Sequence, residues 1–157
     1  MHQEIERKFL VSHPLWKNIS HSFAGKYYRQ GYLNKDKERI VRIRTIEDQG
    51  FITIKSKTKG MTRIEFEYSI PIEDANFLLE NLCCKPIIEK IRYTLPAKNN
   101  LFWEVDEFQG IHKGLILAEI ELPIENFSID LPSWIEREVT GEPQYYNSNL
   151  ETQIFQN

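Results

Sequence analysis

Eight short segments of this sequence alternate apolar residues with charged or polar ones at a period of two. Successive side chains of a β-strand point to opposite faces, so this period predicts strands, and the turn residues between the segments favour an antiparallel sheet or barrel. The predicted strands are 2–11, 26–33, 39–47, 50–57, 62–70, 87–95, 101–108 and 115–122. Eight antiparallel strands are enough to close a small barrel, and we therefore expect a mainly β fold.

The segments between the strands predict turns and a few helices. The predicted turns are Asp48-Gln49-Gly50, Lys59-Gly60 and Lys98-Asn99-Asn100. After Pro71, apolar residues at i, i+3, i+4 and i+7 predict one amphipathic helix, and these residues are Ala75, Leu78, Leu79 and Leu82. A second helix is predicted at the C-terminus, near 147–155, and a short helical turn near 14–19.

Length and charge narrow the class of protein. The chain has 157 residues, with 20 Lys and Arg against 23 Asp and Glu, and we expect one domain over residues 1–157. The formal net charge of −3 argues against a general nucleic-acid or membrane-surface binder, which carries a basic excess. The first eight residues lack the apolar run of a signal peptide, and Cys83 and Cys84 are adjacent and badly placed for a disulfide. We therefore expect a cytoplasmic protein.

On seven of the predicted strands the polar face is fully charged, with like charges two residues apart. The acidic strands carry Glu4 and Glu6, Glu104 and Asp106, and Glu119 and Glu121; the basic strands carry Arg42 and Arg44, Lys55 and Lys57, and Lys90 and Arg92; one strand mixes Arg63 with Glu65 and Glu67. A single strand of this kind is more typical of a solvated surface. Across seven strands, however, the repulsion between like neighbours calls for compensation by bound ions of opposite charge.

The two sets of charges differ in the ligands that they favour. Clustered carboxylates are hard oxygen ligands that suit Mg²⁺ or Mn²⁺ better than zinc, while Arg and Lys bind phosphate oxygens. If the charged faces line the inside of a barrel, an acidic wall faces a basic wall, and the expected ligand is a compact metal polyphosphate. The sequence has no Walker-type glycine-rich loop, so side chains would have to hold the phosphates.

These residues also carry a family resemblance. Glu4-Ile5-Glu6-Arg7-Lys8 resembles the ExExK signature of the CYTH superfamily, the triphosphate tunnel metalloenzymes. The further matches follow in the same order as in that family: Arg42-Ile43-Arg44, Lys55, Arg63 with Glu65 and Glu67, Lys90 and Arg92, Asp106, and Glu119-Ile120-Glu121. Two more parts of the sequence resemble the short bacterial members in particular. The first is Arg29 to Leu33, and the second is Glu138 to Thr140 together with Tyr146-Asn147 and Leu150. The resemblance implies a closed eight-stranded antiparallel tunnel with a charged lumen and a few peripheral helices.

The resemblance also implies roles for individual residues. It implies that Mg²⁺ or Mn²⁺ is bound by Glu4, Glu6, Asp106, Glu119 and Glu121, with Glu65, Glu67 and Glu104 as additional lumen acids. It implies that the triphosphate is held by Arg42, Arg44, Lys55, Lys90 and Arg92, to which Lys57 and Arg63 add two further candidate contacts. Lys8 and Tyr32 correspond to the catalytic lysine and tyrosine of the short bacterial members. The C-terminal helix, about 147–155, is expected to plug one tunnel mouth.

The activity implied by this family is metal-dependent hydrolysis of inorganic triphosphate to pyrophosphate and phosphate. Two related activities stay open, namely an adenylate cyclase of the same superfamily and a thiamine or nucleoside triphosphate hydrolase. A polyphosphate-binding module without catalysis is a third alternative, although it has little use for the acidic wall. We expect a small-molecule triphosphate as partner and neither nucleic acid nor a membrane. The sequence leaves the oligomeric state open, including a homodimer.

Overall fold

The structure of the protein is a computed structural model that describes residues 3–150. Its strands are β1 (Gln3–Val11), β2 (Gly25–Tyr32), β3 (Arg39–Ile46), β4 (Gln49–Ser56), β5 (Thr62–Ile70), β6 (Ile88–Pro96), β7 (Phe102–Phe108), β8 (Ile116–Glu121) and β9 (Ile135–Glu138). Its helices are α1 (His13–Ser20), α2 (Ile72–Asn81) and the short α3 (Asn147–Leu150), with single 3-10 turns at Lys98–Asn100, Gly110–His112 and Pro143–Tyr145. The prediction of a mainly β chain with few helices is confirmed.

The first eight strands form a closed antiparallel barrel. They follow one another around the sheet in the order β5-β4-β3-β2-β6-β7-β8-β1. Pairing of β1 with β5 closes the circle, where Glu4 lies opposite Arg63. The ninth strand, β9, is an extra strand that pairs with the C-terminal half of β1. Closure leaves an interior surface, and the alternation along each strand decides which side chains reach it.

The eight predicted strands agree with the structure to within about two residues at each end, while one turn was placed wrongly and a ninth strand was not predicted. The β3–β4 hairpin turns at Glu47 and Asp48, since Ile46 pairs with Gln49. Gly50, predicted in that turn, lies inside β4 beneath α2, where an added Cβ would stand 2.7 Å from the Cβ of Ala75. The glycine therefore permits close packing of a helix. The sequence pattern missed β9, which spans only four residues.

Both predicted helices within the described residues exist. Apolar residues on one side of α2 pack against the outer face of the barrel, where Ala75 and Leu79 contact Ile43 of β3. Helix α1 contributes Trp16 to a larger cluster with Phe9 of β1 and Trp103 of β7. The C-terminal helix predicted for 147–155 is described only as Asn147–Leu150, and residues 151–155 lie outside the described part, as does His2 of the first predicted strand.

The barrel interior has an apolar end and a charged end. At the apolar end, Ile88, Phe108 and Leu117 pack with Val139 and Leu150. Two residues further along the same strands, on the same face, lie Lys90, Asp106 and Glu119. The interior is thus filled by side chains at one end, and the charged residues face a space at the other. Within residues 3–150, no helix has the length and apolar character needed to cross a membrane.

Candidate active site

The charged end of the barrel encloses a cavity of about 320 Å³. Seven acids line it: Glu4, Glu6, Glu65, Glu67, Glu104, Glu119 and Glu121. Six bases line it as well: Lys8, Arg42, Arg44, Lys55, Arg63 and Arg92. Most of the residues that the sequence singled out are therefore brought together on one surface, and Tyr32 lies on that surface too.

Strand pairing builds the acidic wall from β1 and β8. Glu6 lies opposite Glu121, and Lys8 lies opposite Glu119, so three carboxylates from two strands converge. Burial, followed by repulsion from Glu119 and Glu4, raises the pKa of Glu6 well above its ordinary value. Burial would also raise the pKa of Glu119, but the nearby Lys8, Arg92 and Lys90 cations hold it well below its ordinary value. The same wall thus holds one acid that favours its proton and one that stays charged.

Two pairs of carboxyl groups on this wall share hydrogen bonds. Glu6 is bonded to Glu119, and Glu65 of β5 is bonded to Glu4. In each pair one member has a raised pKa and the other a lowered one, which is the pattern of a carboxylic acid donating to a carboxylate. Each pair supplies hard oxygen ligands, but within residues 3–150 no group of three or more His, Cys, Asp or Glu side chains is gathered closely enough to hold a metal ion.

The basic wall is made by β3, β4 and β5, and acids of the neighbouring strands hold it in place. Arg44 donates to Glu67 at 2.8 Å, and Lys55 donates to Glu4 at 3.0 Å. The buried Thr53 hydroxyl connects the two arginines, because it accepts from Arg42 at 3.2 Å and donates to Glu67 at 2.9 Å. Burial, with repulsion from Arg42 and Arg92, lowers the pKa of Arg44 to about 10.

Lys90 and Asp106 do not line the cavity, in contrast to their predicted grouping. Their side chains are 0% and 2% exposed and form an ion pair of 2.7 Å. Arg92 also donates to both oxygens of Asp106, at 2.7 and 2.8 Å. The Asp106 carboxylate is therefore fully engaged with two cations beneath the cavity surface, and of these two cations only Arg92 lies on the cavity wall. Arg92 also donates to Glu104 at 2.9 Å.

Lys57 is the other predicted residue that lies apart from the cavity. Its side chain is 64% exposed and pairs with Glu38, which is equally exposed. Lys57 follows the end of β4 at Ser56, so the alternation that directs Lys55 inward does not extend to it. Arg63 does line the cavity, where its guanidinium donates to Thr58 at 2.9 Å.

Lys8 and Tyr32 lie on the same cavity but do not contact each other through a hydrogen bond among the described residues. Lys8 donates to the carbonyl oxygen of Tyr145 at 3.1 Å and lies 3.5 Å from Glu119. The Tyr32 hydroxyl accepts from the fully buried Gln30 at 3.1 Å. Burial raises the pKa of Tyr32, while Arg42, Gln30 and Lys8 oppose that rise.

Several cavity residues carry no charge and were missed by reasoning from charged faces. They are Tyr28, Thr58, Met61, Thr140 and Tyr146. Thr140 accepts from the backbone N–H of Lys8 at 2.9 Å, and the ring of Tyr146 lies 5.8 Å from the Lys8 ammonium. The segment after β9 thus holds Lys8 from one side. The only sequence signal for it was the resemblance of Glu138 to Thr140 and of Tyr146-Asn147 to short bacterial proteins.

The chain forms a closed antiparallel barrel, and an acidic wall faces a basic wall inside it. These features define a class of tunnel proteins with a charged lumen. The model of the CYTH domain matches residues 2–153. The chain therefore belongs to the CYTH family.

Two curated relatives cover the chain almost completely. An inorganic triphosphatase of Acetivibrio thermocellus is 48% identical over 157 residues, which are 100% of this chain and 98% of the relative. An inorganic triphosphatase of Nitrosomonas europaea is 32% identical over 154 residues, with 96% and 98% coverage.

Solved structures show the same architecture. The crystal structure of an inorganic triphosphatase superimposes with a TM-score of 0.66 at 29% identity and covers 96% of this chain and 99% of its own. A candidate adenylyl cyclase from Hippeastrum, described as having a dominant triphosphatase activity, gives a TM-score of 0.60 at 15% identity and covers 79% of this chain and 80% of its own. At that identity the likeness shows the fold alone.

Proposed function

We propose that this protein is a divalent-metal-dependent hydrolase that cleaves inorganic triphosphate into pyrophosphate and phosphate. The observation that carries the proposal is that seven acids and six bases line one cavity of about 320 Å³. A small polyanion needs cations on both sides, and here the protein supplies them on one wall and carboxylates for a metal on the other. The two curated relatives carry the name of this activity.

Family membership implies a divalent metal, and the acidic wall carries the type of ligand that such an ion takes. The two proton-sharing carboxyl pairs bring oxygen ligands together without nitrogen or sulfur ligands, which favours Mg²⁺ or Mn²⁺. We assign its binding to Glu4, Glu6, Glu119 and Glu121, which all line the cavity. Such an ion supplies charge neutralisation of the phosphate oxygens and a lowered pKa of bound water. Asp106 receives a different role, because both of its oxygens already accept from Lys90 and Arg92.

The basic residues on the cavity surface would bind and orient the phosphates. Arg42, Arg44 and Arg92 have planar guanidinium groups that engage phosphate oxygens in pairs, and their acid partners fix their direction. Lys55 of β4 and Arg63 of β5 line the same cavity. Charge that develops on the transferred phosphoryl group and on the leaving pyrophosphate is stabilised by such fixed cations.

Tyr32 and Lys8 are our candidates for the catalytic pair. The Gln30 amide donates to the Tyr32 oxygen, so the hydroxyl hydrogen of Tyr32 is directed elsewhere, towards a water molecule or a leaving oxygen. Burial lowers the pKa of Lys8, but the carboxylates of Glu119 and Glu6 outweigh it and raise the pKa, which keeps the ammonium charged beside the reacting phosphates.

The experiment is a phosphate-release assay with tripolyphosphate, ATP, thiamine triphosphate and pyrophosphate, in Mg²⁺, Mn²⁺ or chelator. We expect metal-dependent turnover that is fastest with tripolyphosphate. Lys55→Met, on the cavity wall, should lose most of this turnover, whereas Lys98→Met, whose exposed partner is Asp130, serves as the matched control and should keep it. A folded sample that hydrolyses none of the four compounds contradicts the proposal, and formation of cyclic AMP from ATP would favour the cyclase instead.

A further inference from the structure

The second strand is the exception among the charged strands of the barrel. Between residues 28 and 32 the interior face of β2 carries only neutral side chains, which are Tyr28, Gln30 and Tyr32. The neighbouring strands on its two sides are β3 and β6. Both neighbours are basic on their interior faces, with Arg42 and Arg44 on β3 and Lys90 and Arg92 on β6. A neutral strand therefore separates two basic ones.

The ring of Tyr28 touches three cations from these two strands. The guanidinium carbon of Arg92 lies 5.0 Å from the ring centre, that of Arg44 lies 5.3 Å from it, and the Lys90 nitrogen lies 5.9 Å from it. All three distances are within the range of a cation–π interaction. Tyr28 is 8% exposed and lies on the cavity wall, so the interaction takes place in a mostly desolvated environment, where it is strongest.

The acid partners of the three cations do not lie on β2, so on the β2 side the cations contact the neutral Tyr28 ring. Arg44 pairs with Glu67, which belongs to β5, while Lys90 and Arg92 pair with Asp106 of β7. Both acids lie on the far side of their cations from β2. The pKa of Arg44 is lowered by burial, by Arg42 of the same strand and by Arg92 of β6, and the last of these contributions acts across β2.

We propose that the aromatic ring of Tyr28 is a positioning group that holds Arg44 and Arg92 in place and thereby sets the affinity of the cavity for polyphosphate. The electron-rich face of the ring attracts the two guanidinium groups that the cavity presents to phosphate, and its bulk keeps them apart. Tyr28 makes no hydrogen bond to the Lys8 or Tyr32 side chain among the described contacts, so the catalytic pair stays in place without its ring, and we expect the larger effect on binding. This role rests on the proposed function, because it concerns the same cavity.

The test compares Tyr28→Leu with Tyr28→Phe. Loss of the ring in Tyr28→Leu is expected to raise KM for tripolyphosphate by about tenfold, which is only a part of the energy of two desolvated cation–π contacts, because Arg44 and Arg92 keep their acid partners. We expect kcat to change less than KM. Tyr28→Phe keeps the ring and should recover most of the affinity. Tyr27→Leu is the matched control. Tyr27 directly precedes Tyr28 on β2, faces outward and donates a hydrogen bond to Glu89.

Equilibrium binding of tripolyphosphate in chelator separates this proposal from the proposed function, because it does not depend on turnover. A wild type that binds but does not hydrolyse contradicts the proposed function alone. A folded Tyr28→Leu that binds as tightly as wild type contradicts the role of Tyr28 alone, as does a Tyr28→Phe that binds as weakly as Tyr28→Leu. If Tyr28→Leu does not fold, Tyr28→Met fills the space without a ring, and unchanged KM in that variant overturns the proposal.

Discussion

At the scale of single residues, burial decides what each charged side chain in the barrel can do. Glu6 and Asp106 are both carboxylates on interior faces. Asp106 meets two cations, and although burial opposes this, Arg92 and Lys90 hold its pKa below the ordinary value. Glu6 meets two other carboxylates, and its pKa is raised. The same residue type therefore stabilises cations at one position and stays in need of a cation at the other.

Tyr32→Phe tests the proposed catalytic pair at this scale. The substitution keeps the ring in the apolar cluster with Ile88 and Phe108 and removes only the hydroxyl that accepts from Gln30. We expect kcat for tripolyphosphate to fall by about 10²-fold, the lower end of the range for a lost acid–base group, while KM changes little. Steady-state kinetics measure both constants. A variant whose main defect is weaker binding contradicts a role of Tyr32 in the chemical step.

At the scale of elements, β1 both lines the site and pairs with more strands than any other described strand of the barrel. It supplies Glu4, Glu6 and Lys8 to the cavity and pairs with three partners, which are β5, β8 and β9. The outward Arg7 adds a two-armed ion pair to Glu138 of β9, with N–O distances of 2.6 and 2.8 Å. The extra strand thus fixes the register of β1 from outside and brings Thr140 to the backbone of Lys8.

Glu138→Gln tests this contribution. The Arg7 hydrogen bond lowers the pKa of Glu138 below its ordinary value of 4.5, so its stabilising effect is present above that pH and is lost as the pH falls through the folded-state pKa. The pair is partly exposed, and we expect a loss of only about 0.5–1 kcal/mol near neutral pH. Urea unfolding measures it against Glu136→Gln, an exposed acid of the same strand. A difference that does not shrink as the pH is lowered below 4.5 contradicts the assignment, since protonation of Glu138 removes the ion pair.

At the scale of the whole molecule, the cavity holds like charges close together on each wall. A bound cation would reduce the repulsion among the acids, and a bound anion would reduce the repulsion among the bases. The acids repel one another across β1 and β8, as the raised pKa of Glu6 indicates, and the guanidinium groups repel one another across β2. The barrel tolerates this because its outer faces and its apolar end bury large clusters. Stability therefore comes from the apolar surfaces, and the charged cavity is kept for binding.

Glu6→Gln tests the metal site by stability instead of activity. Mg²⁺ that binds only the folded protein raises the midpoint of thermal unfolding, and millimolar Mg²⁺ should raise that of wild type by a few degrees. Glu6→Gln should show little of this rise, and without metal it should be about as stable as wild type, because glutamine replaces an acid whose pKa is raised by burial and by repulsion from Glu119 and Glu4. Glu73→Gln, an exposed acid of α2, is the control. An equal rise in Glu6→Gln contradicts its assignment as a metal ligand.

The sequence determined the strands, their interior faces and the family. Alternation at a period of two is a local property of the backbone, so it sufficed to place Arg42, Lys55 and Glu119 on the charged faces of their strands, and the family resemblance implied that these faces line the interior. The same reasoning directed Lys90 and Asp106 inward, and correctly so. Neutral residues such as Tyr28 and Thr53 gave no comparable signal, because a hydroxyl or a ring on one face of a strand is common in any sheet.

Only the tertiary structure decided which inward residues reach the cavity. Face follows from the local alternation, but depth along the barrel follows from the register between strands that are distant in sequence, including the β1–β5 pairing that closes the circle. That register joins Asp106 to Lys90 and Arg92 beneath the surface and leaves Lys57 beyond the end of its strand. It also brings Arg44 and Arg92 to the two sides of Tyr28, because long-range pairing sets distances that no local pattern contains.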